Sequence, residues 1–558
     1  MKKATLFLCL CMVHSFLFGQ RLPENAQLKW GNEMKFNKKM TLSEIAATDE
    51  SGYYLIKRKI RQELQESKKL PYLEKYDLNL RMVKSADLSK LDLAGKPNFE
   101  HIMQWNNQLW LFFTTDPGKG EQEGLYRVAL DAQNLRLAGK SQFVMAAEDK
   151  KAKPGIGGLG INLRITSPKF HFYPTPDESK LLIVRESGEV RKKQKEVSLL
   201  LADQQLNPIW TWDETLQADS DELELVNALL DSNGNVHLLS KSQPADVAYK
   251  ITSLFKQERY FFTLVSITGD GKKALHKNIN LAEYQINAAN IQVNEEGHLY
   301  FGGFYTEEGK ANKSTGGTYF LKMDGNNQTV LHQQTEAFDV AFLTRGLSEG
   351  KAKKTSKKLK KGKSVEDSYF FLDEIIVKSD GSVAFVGEDR HEWVTSSTGS
   401  ATGSGIHTTT NTFHYDYGSI VIAEFDPNGT RKWAKKIVKN QVSTGDEGFF
   451  FSYSVSMINN NLYFVFNDNV KNLGYNGKGK VARFTPKSYK EHMMSVATLD
   501  SKGAVSRSSL SINSNRNLMT ITPVNTQTGD FEMVVYGQYK KKYRLARLAF
   551  DPQMLAAD

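Results

Sequence analysis

Cysteine is all but absent from this chain. Of 558 residues only Cys9 and Cys11 are cysteines, and both fall within the first twenty positions. Leu8 and Leu10 precede them, where a lipid-modified cysteine would need a small residue. The remainder has no thiol, which excludes disulfides and thiolate metal sites. Long apolar runs are missing too. Past residue 20 nothing approaches the ~20 apolar residues that a transmembrane helix needs. Excess charge is missing outside two places. The formal net charge is +10, of which Lys2 and Lys3 supply two and "KAKKTSKKLKKGK" (Lys351–Lys363), with eight lysines and no acid, supplies the rest. A nucleic-acid groove spreads its Lys and Arg over a folded face with aromatics between them, so no nucleic-acid partner is expected. A lysine block that repels itself and carries no aromatics is expected to be a solvated, mobile loop.

What is present begins with an export signal. Lys2 and Lys3 open a basic start, and "ATLFLCLCMVHSFLF" is an apolar run too short to span a bilayer comfortably. Residues 1–20 are read as a signal peptide ending at "FGQ", with a retained anchor as the alternative, and 21–558 as one domain. The "FGQ" ending resembles signal peptides of secreted Bacteroidota proteins. The expected location is periplasmic or extracellular. An exported chain without disulfides needs a core large enough to stand alone, and 40% hydrophobic content supplies one.

The domain repeats itself. "VKSDGSVAFVG" (Val377–Gly387) reads as strand, Asp-Gly turn, strand, and close copies are "LLDSNGNVHLLS" at Leu229, "VNEEGHLYFGG" at Val293 and "INNNLYFVF" at Ile458. Asx-Gly pairs predict two-residue hairpin turns with both turn residues at positive φ. Each hairpin is followed by a second, as in "SIVIAEFDPNGTRKWAKKIV", and this four-strand grammar can be read eight times. The eighth unit lacks a fourth strand, while "AQLKWGNEMKF" (Ala26–Phe36) is spare at the start and has a central Trp like "TRKWAKKIV" and "NPIWTWDET". Strands such as "IVIAEF" and "LYFVF" are apolar on both faces, as in sheets stacked between neighbours. The units resemble the four-stranded blades of WD40, Kelch and quinoprotein propellers. The expected fold is all-β, a single β-propeller of eight four-stranded blades (seven as the alternative), closed by the N-terminal strand.

Closer family marks are not met. "IAEFDPNGTRKW" resembles the quinoprotein repeat, yet the Trp survives only at Trp30, Trp210, Trp212 and Trp433, with no adjacent cysteine pair. The sialidase Asp-box spacing fails between Asp426 and Trp433, and no nucleophile elbow with a following hydrolase domain is present. "PGIGGLGINL" (Pro154–Leu163) contains G-x-G-G-x-G but no βαβ unit surrounds it, so it is read as a loop. No cofactor is expected.

Function is expected where length varies. The turns inside hairpins are short. The connections from second to third strand, and from fourth strand to the next unit, are long and leave from one end of an up-and-down blade. That face carries Glu148–Gly160, Ser242–Arg259, the lysine run, Glu388–Gly418 and Asn467–Glu491. Candidate binding residues are Trp393, His407, His414, Tyr415, Tyr417 and Tyr475 as platforms for a sugar ring or peptide, and Lys357, Lys358, Lys360 and Lys361 for anionic envelope material. The alternative for the Glu388–Gly418 insert is an extended hairpin whose aromatics pack at its own base. His391, His407, His414 and Asp416 have no recognised metal-ligand spacing. Glu388, Asp389, Glu392 and Asp416 contain the carboxylates a glycosidase pair would need, without a spacing that selects two. No catalytic or metal site is therefore assigned. The reading is a non-enzymatic propeller that binds a protein or glycan of the cell envelope. The alternatives are a carbohydrate- or quinone-type enzyme and an architectural envelope component.

Overall fold

The computed structural model describes Leu22 and residues 26–551, except 36–39, 60–68, 117, 119–121, 148–168, 188–193, 218–222, 243–259, 280, 282–283, 308–314, 362–369, 401–406, 447, 489–490 and 511–517. The signal peptide, Glu148–Gly160, Pro154–Leu163 and all of Ser242–Arg259 but its first residue lie outside the described residues.

Eight antiparallel sheets follow one another along the chain, each with a four-strand path. They match the eight sequence units in order and are consistent with a propeller of eight blades. Blade one runs from Met40–Asp49 to Met82–Asp87, blade five from Tyr284–Val293 to Val330–Ala337, and blade seven from Ser454–Ile458 to Val505–Ser509. Blade six comprises Phe370–Val377, Val383–Ser400, His407–Phe425 and Arg431–Ile437. In the last sheet Thr526–Gly529, Glu532–Tyr539 and Lys542–Phe550 are joined by Ala26–Trp30, which pairs antiparallel with the last strand, Ala26 opposite Phe550 and Trp30 opposite Ala546.

The second strand of a blade is buried on both faces, as Asn461–Asn469 illustrates. Stacking explains it. Each sheet shares an apolar cluster with the next. Ile56 and Leu73 of blade one meet Ile102 and Leu111 of blade two, and Val386 and Ile422 of blade six meet Phe464 and Phe466 of blade seven. The last and first sheets share such a cluster too, with Tyr53, Leu55 and Tyr76 against Val534, Tyr536 and Tyr543. There the Tyr76 and Tyr543 hydroxyls lie 3.0 Å apart, and Tyr53 Oη donates to Glu532 at 2.6 Å.

The turns correct one expectation. At Lys378–Ser382 only Gly381 has positive φ (79°), and Gly381 N–H donates to Lys378 O at 3.0 Å. This is a three-residue turn with glycine in the left-handed region, not a two-residue turn. It recurs at Gly234, Gly297, Gly429 and Gly503. In these copies Asp231, Asn294, Asp426 and Asp500 lead, and the Oδ1 of each accepts the N–H four residues on at 2.7–2.9 Å. The leading Asx side chain closes the turn that the glycine permits. Turns with two residues at positive φ occur instead at Asn106–Asn107 and Asn459–Asn460.

Candidate functional site

Blade six departs from the repeat. Its central strands hold 18 and 19 residues, against ten at most elsewhere among the described strands. They stay paired from Val383 opposite Phe425 out to Ser400 opposite His407. Beyond Arg390 the hairpin continues for ten residues, roughly 30 Å at ~3.3 Å per residue. The Ser/Thr/Gly composition therefore does not make a loose loop here: β-branched threonines on both strands favour the extended ladder. Gln441–Thr444 adds a strand along its base, pairing with His414–Tyr417.

The register shifts between Glu388 and Arg390, where the arm leaves the blade. A bulge of this kind re-aims a side chain, and the shift falls at Asp389. Asp389, His391, Trp393 and Asp416 all line a cleft of about 780 Å³. His391 Nε2 lies 3.2 Å from Asp389 Oδ1. Burial raises the Asp416 carboxyl, an effect that His391 opposes and Asp389 reinforces.

The opposite wall is the connection from blade five to blade six. It contains two helices, α1 (Val340–Thr344) and α2 (Glu349–Leu359). The lysine run is thus helical over most of its described length, which overturns the expectation of a mobile loop. Lys and Ala favour helix. Glu349 stands in the first turn and Lys357 and Lys358 in the last, which suits the helix dipole. Leu359 packs against the Phe342–Leu343–Phe370 cluster and anchors the helix to the blade. Lys351, Lys354 and Lys358, spaced along one helical face, line the cleft together with Arg345. Lys357, Lys360 and Lys361 do not line it.

The floor and far rim are cationic as well. Lys436 and Lys439 come from the end of blade six and the segment after it, and Lys480 and Arg483 from the long connection inside blade seven. In all, eight Lys or Arg side chains face two aspartates. Lys439 is buried and paired with Glu388 at 2.5 Å; its pKa is lowered by burial, which Glu388 opposes. Glu388 also accepts from Arg390 at 2.5 Å and from Ser452 Oγ at 2.9 Å. Arg390 reaches Asp373 at 2.9 Å. This network ties blade six to blade seven and consumes Glu388. Lys436 is different. Its ammonium lies 4.8 and 5.2 Å from the ring centroids of Phe342 and Phe370, and burial pushes its pKa down to about 8, with Asp389 pulling the other way.

The predicted residues divide accordingly. Trp393 is 45% exposed at the cleft and stacks flat on His414, ring centroids 4.9 Å apart. His414 holds that stack and meets Thr395 Oγ1 at 2.9 Å. Tyr415 and Tyr417 are not exposed platforms: they pack on the Phe451–Phe484–Met519 cluster at the base of the arm, and Tyr417 Oη donates to Glu392 at 2.5 Å. Tyr475 is half-buried and closes its own loop, donating to Gly479 O at 2.8 Å. His407 opens the returning strand opposite Ser400, and its side chain lies outside the described residues. Of the four carboxylates weighed as an acid pair, Asp389 and Asp416 line the cleft, while Glu388 and Glu392 are engaged elsewhere. Among the described residues no group of three His, Cys, Asp or Glu is placed to hold a metal ion. Sequence reasoning missed Arg345, Lys436 and Arg483, which carry no motif.

No protein-family model matches the chain, and no curated protein matches it. Solved structures similar to it include the WD40 domain of SCAP from fission yeast, at 8% identity over 95% of this chain and 99% of that one, with a TM-score of 0.36. The polysaccharide lyase Uly1 is similar at 8% identity over 94% and 99%, TM-score 0.36. A Synechocystis apocarotenoid oxygenase mutant is similar at 11% identity over 96% and 95%, TM-score 0.27. At such overlap the assignment to the propeller-type folds rests on the chain's own eight successive four-stranded sheets.

Proposed function

We propose that this is an exported propeller that binds an anionic cell-envelope partner through its long-loop face, gripping it in the cleft between α2 and the arm of blade six. The observation that carries the reading is the charge of that cleft: three separate segments contribute eight cations, of which Lys439 is paired with Glu388, against Asp389 and Asp416 in the lining. Surface lysines on a globular protein are ordinarily interspersed with acids. Here they converge on a concavity of the size that encloses a small ligand or one residue of a polymer. Export rests on the N-terminal sequence. Ring closure belongs to the same proposal. Ala26–Trp30 supplies the outer strand that the last sheet's own segment lacks, and so covers the edge of Lys542–Phe550 that would otherwise be open.

The test is capture from the envelope fraction by tagged mature protein, in a salt series from about 0.05 to about 0.5 M, where screening should release an electrostatically held partner. Salt-sensitive capture that disappears in the Lys351→Glu/Lys354→Glu/Lys358→Glu variant supports the reading. Capture indifferent to both salt and that variant sinks it. One observation favours a second reading, a carbohydrate-acting enzyme: Asp389 and Asp416 lie in the same cleft as an exposed Trp. Release of new reducing ends from acidic polysaccharide, lost in Asp416→Asn, would decide for it.

A further inference from the structure

Five lysines are buried among the described residues, and four have an acceptor. Lys378 pairs with Glu424 at 2.5 Å, Lys439 with Glu388 at 2.5 Å, Lys195 with Glu186, and Lys75 Nζ donates to Ala132 O at 3.0 Å. Lys436, 6% exposed, is the fifth. Among the described residues its ammonium has neither a carboxylate within ion-pair distance nor a hydrogen-bond acceptor; its partners are the faces of Phe342 and Phe370. A buried cation without an acceptor is costly to keep. This one opens onto the cleft. It therefore marks the place where an anion from outside completes a charge the fold leaves unmet.

Two further features narrow the ligand. Gly346, Leu347 and Ser348, which lead into the N-terminus of the 11-residue helix α2, line the same cleft, so the positive end of a helix adds to the field there. Trp393, held flat by His414, presents an exposed aromatic face in the same cavity. A free inorganic ion would use the lysine and leave the indole idle. A ligand that combines one anionic group with a flat apolar face uses both, and a sugar ring bearing a carboxylate is such a ligand. We propose that Lys436 seats the carboxylate of a hexuronate residue in an acidic glycan, with Trp393 as the platform for the sugar ring. This rests on the anion-binding reading of the cleft and names the ligand class within it.

The test is calorimetric titration of the mature chain with trigalacturonate, its fully methyl-esterified form and inorganic sulfate. The acid form is expected to bind at least tenfold more tightly than the ester. Lys436→Met should weaken it by at least tenfold, and Trp393→Ala should weaken trigalacturonate while leaving sulfate unchanged. Lys272→Met, at an 81% exposed side chain on a short turn of blade four, is the charge-matched control and should change nothing. Should Lys436→Met fail to fold, reductive methylation of the wild-type chain mapped by mass spectrometry gives the same answer: trigalacturonate should slow modification of Lys436. Equal affinity for acid and ester, wild-type binding by Lys436→Met, or Lys436 methylation unaffected by ligand would overturn the proposal. So would sulfate binding as tightly as trigalacturonate with Trp393→Ala silent, which means a site for a lone ion only. If trigalacturonate fails while envelope capture stays salt-sensitive and dependent on the α2 lysines, the hexuronate inference falls and the general reading stands. If capture fails as well, both fall.

Discussion

Two concavities of similar size sit on this scaffold and are made differently. One, of about 920 Å³, lies between blades three and four and is lined by their own strands, including Trp212, Glu214, Phe261 and His276. It is a gap the repeat leaves between neighbouring outer strands, and its polar groups serve one another. Trp212 Nε1 donates to Glu214 at 3.2 Å, and His276 lies 4.0 Å from the same carboxylate. The other, beside blade six, is built by departures from the repeat: a lengthened hairpin, a helix pair and a long connection of blade seven. Its cations outnumber its acids, and one buried lysine has no acceptor among the described residues. Packing demands the first concavity. Packing alone does not explain the second, and that is the argument for function there.

Both sit on the same series of stacked sheets, so the largest effect should strike both. Deleting residues 21–35 removes Ala26–Trp30 and its contacts between Leu28, Trp30 and the cluster that joins the last two blades. The expected result is a melting temperature lower by at least about 5 °C, in line with loss of several buried side chains, together with aggregation through the bared edge. An unchanged melting curve for a monodisperse truncation would refute ring closure by this strand.

Charge reversal separates the two regions next. Lys351→Glu/Lys354→Glu/Lys358→Glu should reduce capture of the envelope partner by roughly two orders of magnitude at low salt. Removal of three cations and addition of three anions in one cleft supports a change of that size. The melting temperature should move little, because α2 has no buried residue. A melting temperature that drops sharply would show that the helix is structural.

The aromatic pair is the sharper contrast. Trp393→Ala should weaken ligand binding by about 2 kcal/mol, roughly thirtyfold, with the fold intact. Trp212→Ala, at the groove between blades three and four, should leave binding unchanged and lower stability instead, since Trp212 packs against the cluster joining those blades. The reverse pattern would assign function to the wrong concavity.

The smallest effect has the most telling sign. Lys436→Met should stabilise the free protein near neutral pH by about 1–3 kcal/mol, because it removes an unmet buried charge. Lys436 titrates at about 8 in the folded chain against 10.5 unfolded, so its penalty is full below pH 8 and fades as pH rises to 10.5. The gap between variant and wild type should close over that window. The neighbouring charges are Asp389, Asp416 and His391 on the arm, Arg345 and the α2 lysines opposite, and Lys439, Lys480 and Arg483. Thermal melts of both proteins from pH 7 to about 10.5 read the difference. A gap that widens with pH would mean that Lys436 is stabilised by a partner.

Local grammar carried most of the fold. Alternating and doubly apolar runs, Asx-x-x-Gly turns and a spare strand with a central Trp are short-range signals, and strand number and order follow from them. The turn geometry is not legible in the dipeptide, because Asp-Gly serves both two- and three-residue turns; a leading Asx side chain closes four of the three-residue turns, while the turn led by Lys378 forms without one. The charge pattern of the lysine run argues for repulsion, whereas what anchors its helix, Leu359 packed against the cluster of Phe342 and Phe370, is a tertiary contact. Tyr415 and Tyr417 looked like ligand platforms until Phe451, Phe484 and Met519 covered them.

By itself, then, the sequence determined the repeat, the absence of thiols and of long apolar runs past residue 20, and which connections are long, because each is written in neighbouring residues. Tertiary structure alone decided the cleft. Arg345, Lys436 and Arg483 are far apart in the chain and meet only when blades five, six and seven stack. Whether a lysine is solvated, paired or left facing an open cavity depends on what the fold places around it, and no local pattern records that.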